Sequence, residues 1–213
     1  LLLYSSLILA FYFDENVSGG PKYDFSYALK QVAIFEDNFL YSFLNYDTIE
    51  HPNRLSPIYI ALLLLIKKIF FTMDVARFVF LHLLILSQLY FYKCLKVVFQ
   101  NKLSLDKKIL FFFSCIIFIS PSFRANVIWV ESSMIGLLFF LIGLYYFLKN
   151  LEKFKLRYVY LNIFFIAIAS YIRPSYCLFA IYFSYYYFSF LQNKVSIYKV
   201  ILFNIILAFP AFY

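Results

Sequence analysis

The sequence predicts an all-α protein: a polytopic bundle of transmembrane helices, with an amphipathic helix on the outer face between the first two spans. Three observations support this fold class. Hydrophobic residues make up 64% of the 213 residues, charged residues only 14%, and the mean hydropathy is +0.81. Apolar runs of about the length of a bilayer span recur along the chain. The basic residues between these runs are concentrated in three loops.

The composition excludes several classes of protein. An average soluble domain carries about 25% charged residues, so this chain lacks the polar surface of a water-soluble domain. The same composition excludes disorder. Three cysteines without a C-x-x-C pair exclude a disulfide scaffold or a zinc finger, and we expect Cys94, Cys115 and Cys177 to be buried apolar residues. No nucleotide-binding or hydrolase motif occurs. Cytoplasmic loops facing anionic lipid account for the net charge of +8, so nucleic-acid binding is not indicated.

The apolar runs predict the membrane spans. We expect spans or parts of spans at 1–13, 75–92, 109–120, 127–148, 158–190 and 197–213. The run 158–190 is broken by Arg173-Pro174 and predicts two helices. The run 56–71 has about ten apolar residues before Lys67-Lys68, which is half the length of a span. Because the chain lacks an initial Met and stops inside an apolar run, we expect 1–213 to be the N-terminal part of one longer domain.

Charge predicts the topology. The loop 14–55 holds seven acids and three bases, whereas the segments 93–108, 149–157 and 192–199 hold 11 bases together. Positive residues favour the cytoplasmic side. If 56–71 is a half-length interfacial helix, the loop 14–55 lies outside and all three basic segments lie inside. This interpretation leaves Lys67, Lys68 and Arg77 near the outer interface, where long basic side chains reach lipid phosphate.

The outer loop carries a helical pattern. Gly19-Gly20-Pro21 predicts a turn, and Asp24 is placed to cap the helix that follows. Apolar residues then recur every three or four positions, at Phe25, Ala28, Leu29, Val32, Phe35, Phe39, Leu40 and Phe43. Such a helix is expected to lie on the membrane surface with its apolar face among the headgroups.

These elements resemble a known family. An outer loop with Asp24, Tyr27 and Ala28 in an Asp-x-x-Tyr-Ala pattern is followed by Ser56-Pro57-Ile58-Tyr59 at the start of a short helix. Further on, Glu131 lies near the outer start of a span, and a helix of small residues closes with Arg173-Pro174. This order of motifs resembles the GT-C superfamily of membrane glycosyltransferases, in particular the bacterial branch related to protein O-mannosyltransferases and lipid A aminoarabinose transferases.

The resemblance implies a function and a set of site residues. It implies a transferase of the bacterial plasma membrane that moves a sugar, with inversion, from a polyprenyl-phosphate donor to an acceptor hydroxyl at the outer face. Asp24 is expected to be the base and Arg173 to hold the donor phosphate. Arg54 is a second candidate phosphate contact. The candidate contacts for the sugar or for a metal ion are Glu131, His51 and Tyr59.

Each of these residues has a structural alternative. Asp24 could be only an N-cap. Glu131 lies about one turn into a predicted helix, where an acidic residue is a candidate for a functional role. It could bind a sugar hydroxyl, or it could bind a divalent cation together with Asp24. Arg173 could be an interfacial side chain, although a guanidinium beside a proline break suits a phosphate. We interpret the rival acids Asp14-Glu15 as a solvated span end.

A further candidate residue and a rival function remain. His82, within the run 75–92, has no second histidine at ligand spacing, so we expect a hydrogen bond to a neighbouring helix. The rival function is a non-enzymatic multi-pass polysaccharide transporter or flippase. A transporter places polar residues near the bilayer midplane, whereas here the unusual polar residues gather on one predicted face, which favours the enzyme.

Overall fold

The computed structural model describes residues 2–17, 20–46, 55–103, 106–191 and 197–208, and these residues contain helices and connections but no strand. The α-helices of this part of the chain are α1 (Leu2–Tyr12), α2 (Gly20–Asp37), α3 (Phe39–Leu44), α4 (Pro57–Phe70), α5 (Met73–Leu103), α6 (Lys107–Cys115), α7 (Pro121–Ile128), α8 (Ser132–Glu152), α9 (Leu156–Ile172), α10 (Cys177–Leu191) and α11 (Ile197–Ala208). The all-α prediction is confirmed.

Two helices are long and apolar enough to cross a membrane. They are Met73–Phe99, within α5, and Ser132–Glu152, which is α8. A third crossing results if the pair Lys107–Ile119 and Pro121–Ile128, bent by 72°, is counted as one span. The apolar helices at Leu3–Tyr12, Leu156–Ile172 and Tyr198–Leu207 are shorter. These lengths and compositions are consistent with a membrane protein.

The chain divides into two compact units. The first unit comprises the described residues of 1–86 and 115–135. In this unit α2 packs on α4, and α1 packs on α7. The helix α2 buries Phe25, Ala28, Gln31, Val32 and Phe35. These positions repeat at helical spacing, so one face of α2 is covered by the unit itself.

The second unit comprises the described residues of 87–114 and 136–213. Its core joins α8, α9, α10 and α11 through Phe147, Val159, Ile163, Ile166, Phe183, Tyr187 and Val200. One polar network lies inside it: the Asn162 amide donates to the Gly143 carbonyl at 3.0 Å and accepts from the Tyr187 hydroxyl at 2.9 Å. Gly143 allows this close approach, because a Cβ would lie 2.9 Å from the end of the Ile166 side chain, which would have to shift.

Local chemistry explains where several helices begin. Ser56 caps α4, its side chain accepting from the Ile58 N–H at 3.3 Å, and Pro57 fills the first turn, where no N–H is needed. The same Ser-Pro arrangement, Ser120-Pro121, begins α7. These starts follow directly from the sequence. The predicted half-length helix 56–71 is confirmed as a helix of 14 residues.

The break at Arg173-Pro174 is confirmed as well. The helix α9 ends at Ile172, Arg173 is extended, and a short 3₁₀ turn over Pro174–Tyr176 leads into α10. Proline disfavours a helical conformation in the residue before it, which is why α9 stops at this point.

The structure corrects four expectations. The predicted helix 127–148 is interrupted, since α7 ends at Ile128 and α8 begins at Ser132. The predicted surface helix is divided into two helices: α2 ends at Asp37, and Asn38 is the N-cap of α3. The buried face of α2 is covered by protein, whereas we expected it to face lipid headgroups. Of the three cysteines, Cys94 is buried but Cys177 is exposed.

Candidate functional site

The connection between α7 and α8 is the centre of the candidate site in the first unit. Trp129, Val130 and Glu131 form this connection, and Val130 adopts a positive φ of 51°. The indole N–H of Trp129 donates to the Glu15 carbonyl at 3.0 Å. Trp129 and Val130 are both buried. The connection is therefore fixed from several sides by residues that are distant in the sequence.

Glu131 caps α8 with its own side chain. One carboxylate oxygen accepts from the backbone N–H of Ser133 at 3.0 Å, and the hydroxyls of Ser132 and Ser133 also donate to the carboxylate. A negative charge at a helix N-terminus is stabilised by the unpaired N–H groups there. Glu131 therefore precedes the span, whereas we expected it one turn inside, and it is half-buried.

Tyr59 lies beneath this connection. Its side chain is only 2% exposed, and its hydroxyl donates to the Val130 carbonyl at 2.7 Å. Burial raises the pKa of Tyr59, and the charges of Glu131 and Asp24 raise the pKa further. A buried hydroxyl that is already bonded to the backbone is not placed to contact a sugar, in contrast to our expectation for Tyr59.

Asp24 lies in the second turn of α2, which begins at Gly20. It is therefore not the N-cap of the helix, and the structural alternative for this residue is wrong. The carboxylate is exposed, and it makes no hydrogen bond or ion pair with the residues that the structure describes. Its neighbour Phe25 is buried against the Trp129 ring, with 5.9 Å between the ring centroids. A free carboxylate on a firmly packed helix is able to accept a proton.

Arg77, which we expected at the lipid interface, is buried in this unit. Its guanidinium carbon lies 3.9 Å from the Trp129 ring centroid and 5.0 Å from that of Phe11. It forms ion pairs with Asp14 at 3.1 Å and with Asp74 at 3.3 Å, and its Nε donates to the Ile128 carbonyl at 3.3 Å. Stacking on an aromatic face and forked hydrogen bonding are both properties of the guanidinium group.

The second acid after α1 is also paired. Glu15 accepts from Nη2 of Arg124 at 2.6 Å, so Asp14 and Glu15 both hold arginines and are more than a solvated span end. Arg124 also donates to Ser6, through the carbonyl at 3.2 Å and the hydroxyl at 3.3 Å. Its buried Nε has no hydrogen-bond partner among the described residues. An unsatisfied buried donor of this kind is unusual in a folded protein.

An open groove of about 410 Å³ lies beside this ion pair. It is lined by Ser6, Leu9, Ala10, Phe13, Glu15 and Arg124. Its walls are mainly apolar side chains of α1, and its charged residues are the paired Arg124 and Glu15. The groove therefore combines an apolar surface with a guanidinium, a combination that suits an amphiphile with an anionic group.

The remaining candidates lie elsewhere. His51 and Arg54 lie outside the described residues. Arg173 belongs to the second unit, where it is half-buried and caps the 3₁₀ turn after α9. Gly136 makes room for this turn, because a Cβ would lie 2.7 Å from the Tyr176 ring and 3.2 Å from the Arg173 Cβ. Asp24, Tyr59 and Glu131 all belong to the first unit.

The hydrogen bond expected for His82 is confirmed. Its Nδ1 lies 2.7 Å from the Phe78 carbonyl, which requires a proton on Nδ1, so Nε2 accepts from the Tyr4 hydroxyl at 2.6 Å. Within the described ranges, no group of three or more His, Cys, Asp or Glu side chains could hold a metal ion. The divalent cation shared by Asp24 and Glu131 stays a prediction.

The sequence analysis did not identify Arg124 or Trp129 as site residues, and it placed Arg77 at the lipid interface. One signal was available: the acidic pair Asp14-Glu15 at the end of the predicted first span is a candidate ion-pair partner for arginines. The stacking of Arg77 on Trp129 had no such signal, because it depends on how α5 packs against the α7–α8 connection.

Comparisons of the chain with protein-family models, with curated proteins and with solved structures gave no match. The likeness to the GT-C superfamily therefore rests on the short motifs at Asp24, Ser56-Pro57, Glu131 and Arg173.

Proposed function

We propose that this protein is a membrane glycosyltransferase that moves a sugar from a polyprenyl-phosphate donor to an acceptor hydroxyl at the outer face of the membrane. One observation carries the proposal: Asp24 is an exposed carboxylate without an ion pair to any described residue, and a second acid, Glu131, lies in the same packed unit. A groove with apolar walls and an arginine belongs to the same unit.

Asp24 is proposed as the general base. As the acceptor oxygen attacks the anomeric carbon, the bond from that carbon to the phosphate oxygen breaks, and the acceptor proton passes to the Asp24 carboxylate. Attack opposite the leaving phosphate inverts the anomeric centre. An exposed carboxylate without an ion pair is free to take the proton, whereas Asp14 and Glu15 are engaged by Arg77 and Arg124.

Glu131 is proposed to bind the sugar. Its carboxylate caps α8, which holds it at the start of this helix, where it would accept a hydrogen bond from a sugar hydroxyl. A divalent cation held jointly with Asp24 is the alternative for this pair of acids.

Arg124 is proposed as a contact for the donor phosphate. The apolar side chains of α1 would receive the first part of the polyprenyl chain, and the unsatisfied Nε of Arg124 would donate to a phosphate oxygen. A guanidinium stabilises the charge that grows on the leaving phosphate. Arg173 and Arg54 stay proposed phosphate contacts, because a guanidinium pairs with a phosphate through two hydrogen bonds.

A donor assay tests this function. Purified protein in nanodiscs is incubated with a panel of radiolabelled polyprenyl-phosphate sugars and a membrane extract that supplies acceptors. We expect at least one donor to lose its sugar only when protein and extract are both present. Arg124→Lys should raise the KM for that donor, because an ammonium group cannot form the paired hydrogen bonds that a guanidinium forms with a phosphate. If the wild-type protein consumes no donor in the panel, the proposed function is wrong.

A further inference from the structure

Val130 has a backbone conformation that a valine rarely adopts. Its φ of 51° lies in the left-handed region, and a β-branched residue is strained there. Val130 is fully buried, so water does not relieve the strain. Strained residues persist only where the surroundings hold them, and they concentrate at functional sites. Val130 directly precedes Glu131, the proposed sugar contact.

Three side chains hold the connection around Val130. The Arg77 Nε donates to the carbonyl of Ile128, and the Trp129 indole donates to the carbonyl of Glu15. Of these three side chains, Tyr59 is the one that bonds to the strained residue itself: its hydroxyl donates to the Val130 carbonyl at 2.7 Å. Because both groups are buried, loss of the hydroxyl would leave that carbonyl without a partner.

The strained turn decides where Glu131 points. The helix α7 ends at Ile128 and α8 begins at Ser132, so only three residues connect the two helices. The Glu131 N–H still donates to the Asn126 carbonyl at 2.9 Å, while its carboxylate turns onto the Ser133 N–H. A relaxed φ at Val130 would rotate the following peptide and move this carboxylate.

We propose that Tyr59 is a positioning residue: its hydroxyl holds Val130 in the left-handed conformation, and this conformation sets the direction of the Glu131 carboxylate. The proposal rests on the proposed function only in assigning Glu131 to the sugar. It gives Tyr59 a role different from the sugar contact that the family resemblance implies, and it explains why a tyrosine is buried with its hydroxyl aimed at a main-chain carbonyl.

A double-mutant cycle separates positioning from packing. Tyr59→Phe keeps the ring and removes the hydroxyl. Val130→Gly removes the strain, because glycine adopts positive φ freely. If Tyr59 holds the strained turn, Val130→Gly makes its hydroxyl unnecessary, and Tyr59→Phe has a much smaller effect in the Val130→Gly background. If both residues only fill the core, their effects add, since each change removes buried contacts independently. Tyr41→Phe, at an exposed tyrosine of α3, is the matched control.

Trp129 supplies a readout that does not depend on activity. It is the single tryptophan of the chain and the neighbour of Val130, so its emission on excitation at the red edge reports this connection alone. We expect Tyr59→Phe to shift the emission, Tyr41→Phe to leave it unchanged, and the double variant to match Val130→Gly. An unshifted emission in Tyr59→Phe, or additive shifts in the cycle, would overturn the proposal.

Kinetics give the second readout. With the donor that the wild type consumes, Tyr59→Phe should lower kcat by about 10–100-fold, as expected for a misplaced site group, and Val130→Gly should restore most of it. A loss of kcat that Val130→Gly deepens would overturn the positioning role. Emission coupling in a protein without transfer activity would support the positioning of the turn and refute the proposed function, so the two failures are distinguishable.

Discussion

The guanidinium of Arg77 lies 3.9 Å from the ring centroid of Trp129, and this contact joins α5 to the α7–α8 connection. Arg77 is buried, and its two acidic partners, Asp14 and Asp74, are more exposed than it is. The arrangement uses a cation–π contact and ion pairs together, which compensates for the cost of burying the charge. Arg77 therefore helps to fix the α7–α8 connection, through its contacts with Trp129 and the Ile128 carbonyl.

Arg77→Lys should destabilise the protein by about 2 kcal/mol, because an ammonium loses the stacking on Trp129 and the forked contacts to the two acids. The shift in the thermal unfolding midpoint in detergent measures this loss. Arg157→Lys is the control, since Arg157 is exposed in the second unit. Equal midpoints for the two variants would show that Arg77 does not hold the connection.

Tyr187→Phe should destabilise the second unit by about 1–3 kcal/mol, the usual cost of leaving a buried polar group unsatisfied. The group left behind is the Asn162 carbonyl oxygen, which is fully buried. Unfolding by a denaturing detergent measures the loss, with Tyr198→Phe, at an exposed tyrosine, as the control. A Tyr187→Phe variant as stable as wild type would mean that Asn162 finds another donor.

The sequence predicted the elements whose causes are local. Ser56-Pro57 begins α4 and Arg173-Pro174 ends α9 because proline acts on its immediate neighbours. The break after Ile128 could not be predicted in this way. The run 127–148 is apolar and helical by pattern, and it is interrupted by bonds from Tyr59 and Glu15, which are remote in the sequence.

The candidate site was predictable in part for the same reason. Asp24 and Glu131 stood out as acids in unusual places, but their placement in one unit with Tyr59 depends on tertiary packing, including that of α2 on α4. Asp24 was predicted as a cap because Gly19-Gly20-Pro21 was interpreted as a turn, whereas α2 already begins at Gly20. Proline is compatible with a first helical turn, which allows this earlier start.

Cysteine labelling tests the predicted topology. In a background without Cys94, Cys115 and Cys177, a cysteine at Asn16 should react with an impermeant reagent from outside. A cysteine at Lys153 should react only after the membrane is opened. Both positions are exposed in the structure. The reason is the distribution of basic residues. Labelling of Lys153→Cys in intact cells would contradict the interpretation of α4 as a helix that does not cross the membrane.

Tyr46 predicts a pH dependence of stability. Burial raises the pKa of Tyr46 from 10.0 to about 12, and its hydroxyl donates to the Leu55 carbonyl at 2.7 Å. The unfolded chain loses the phenol proton near pH 10, whereas the folded protein keeps it to about pH 12. The stability that the protonated phenol contributes is therefore complete below pH 10 and is lost as the pH rises to about 12. Tyr46→Phe should therefore be less stable than wild type below pH 10, and the difference should shrink above it.

Denaturant unfolding midpoints across this pH range measure the Tyr46 effect. Tyr12→Phe, at an exposed tyrosine, should keep a constant difference from wild type. If the difference between Tyr46→Phe and wild type is independent of pH, the Tyr46 phenol is not buried in the folded protein.

Asp24 is proposed as the base of a sugar transfer, and the single-turnover transfer rate of Asp24→Asn measures this role. The change keeps the size of the side chain and removes its basicity, so we expect donor binding to persist while the transfer rate falls by about 10²–10⁴-fold. Asp37→Asn, at an exposed acid of the same helix, should transfer at the wild-type rate. Wild-type transfer by Asp24→Asn would contradict the account.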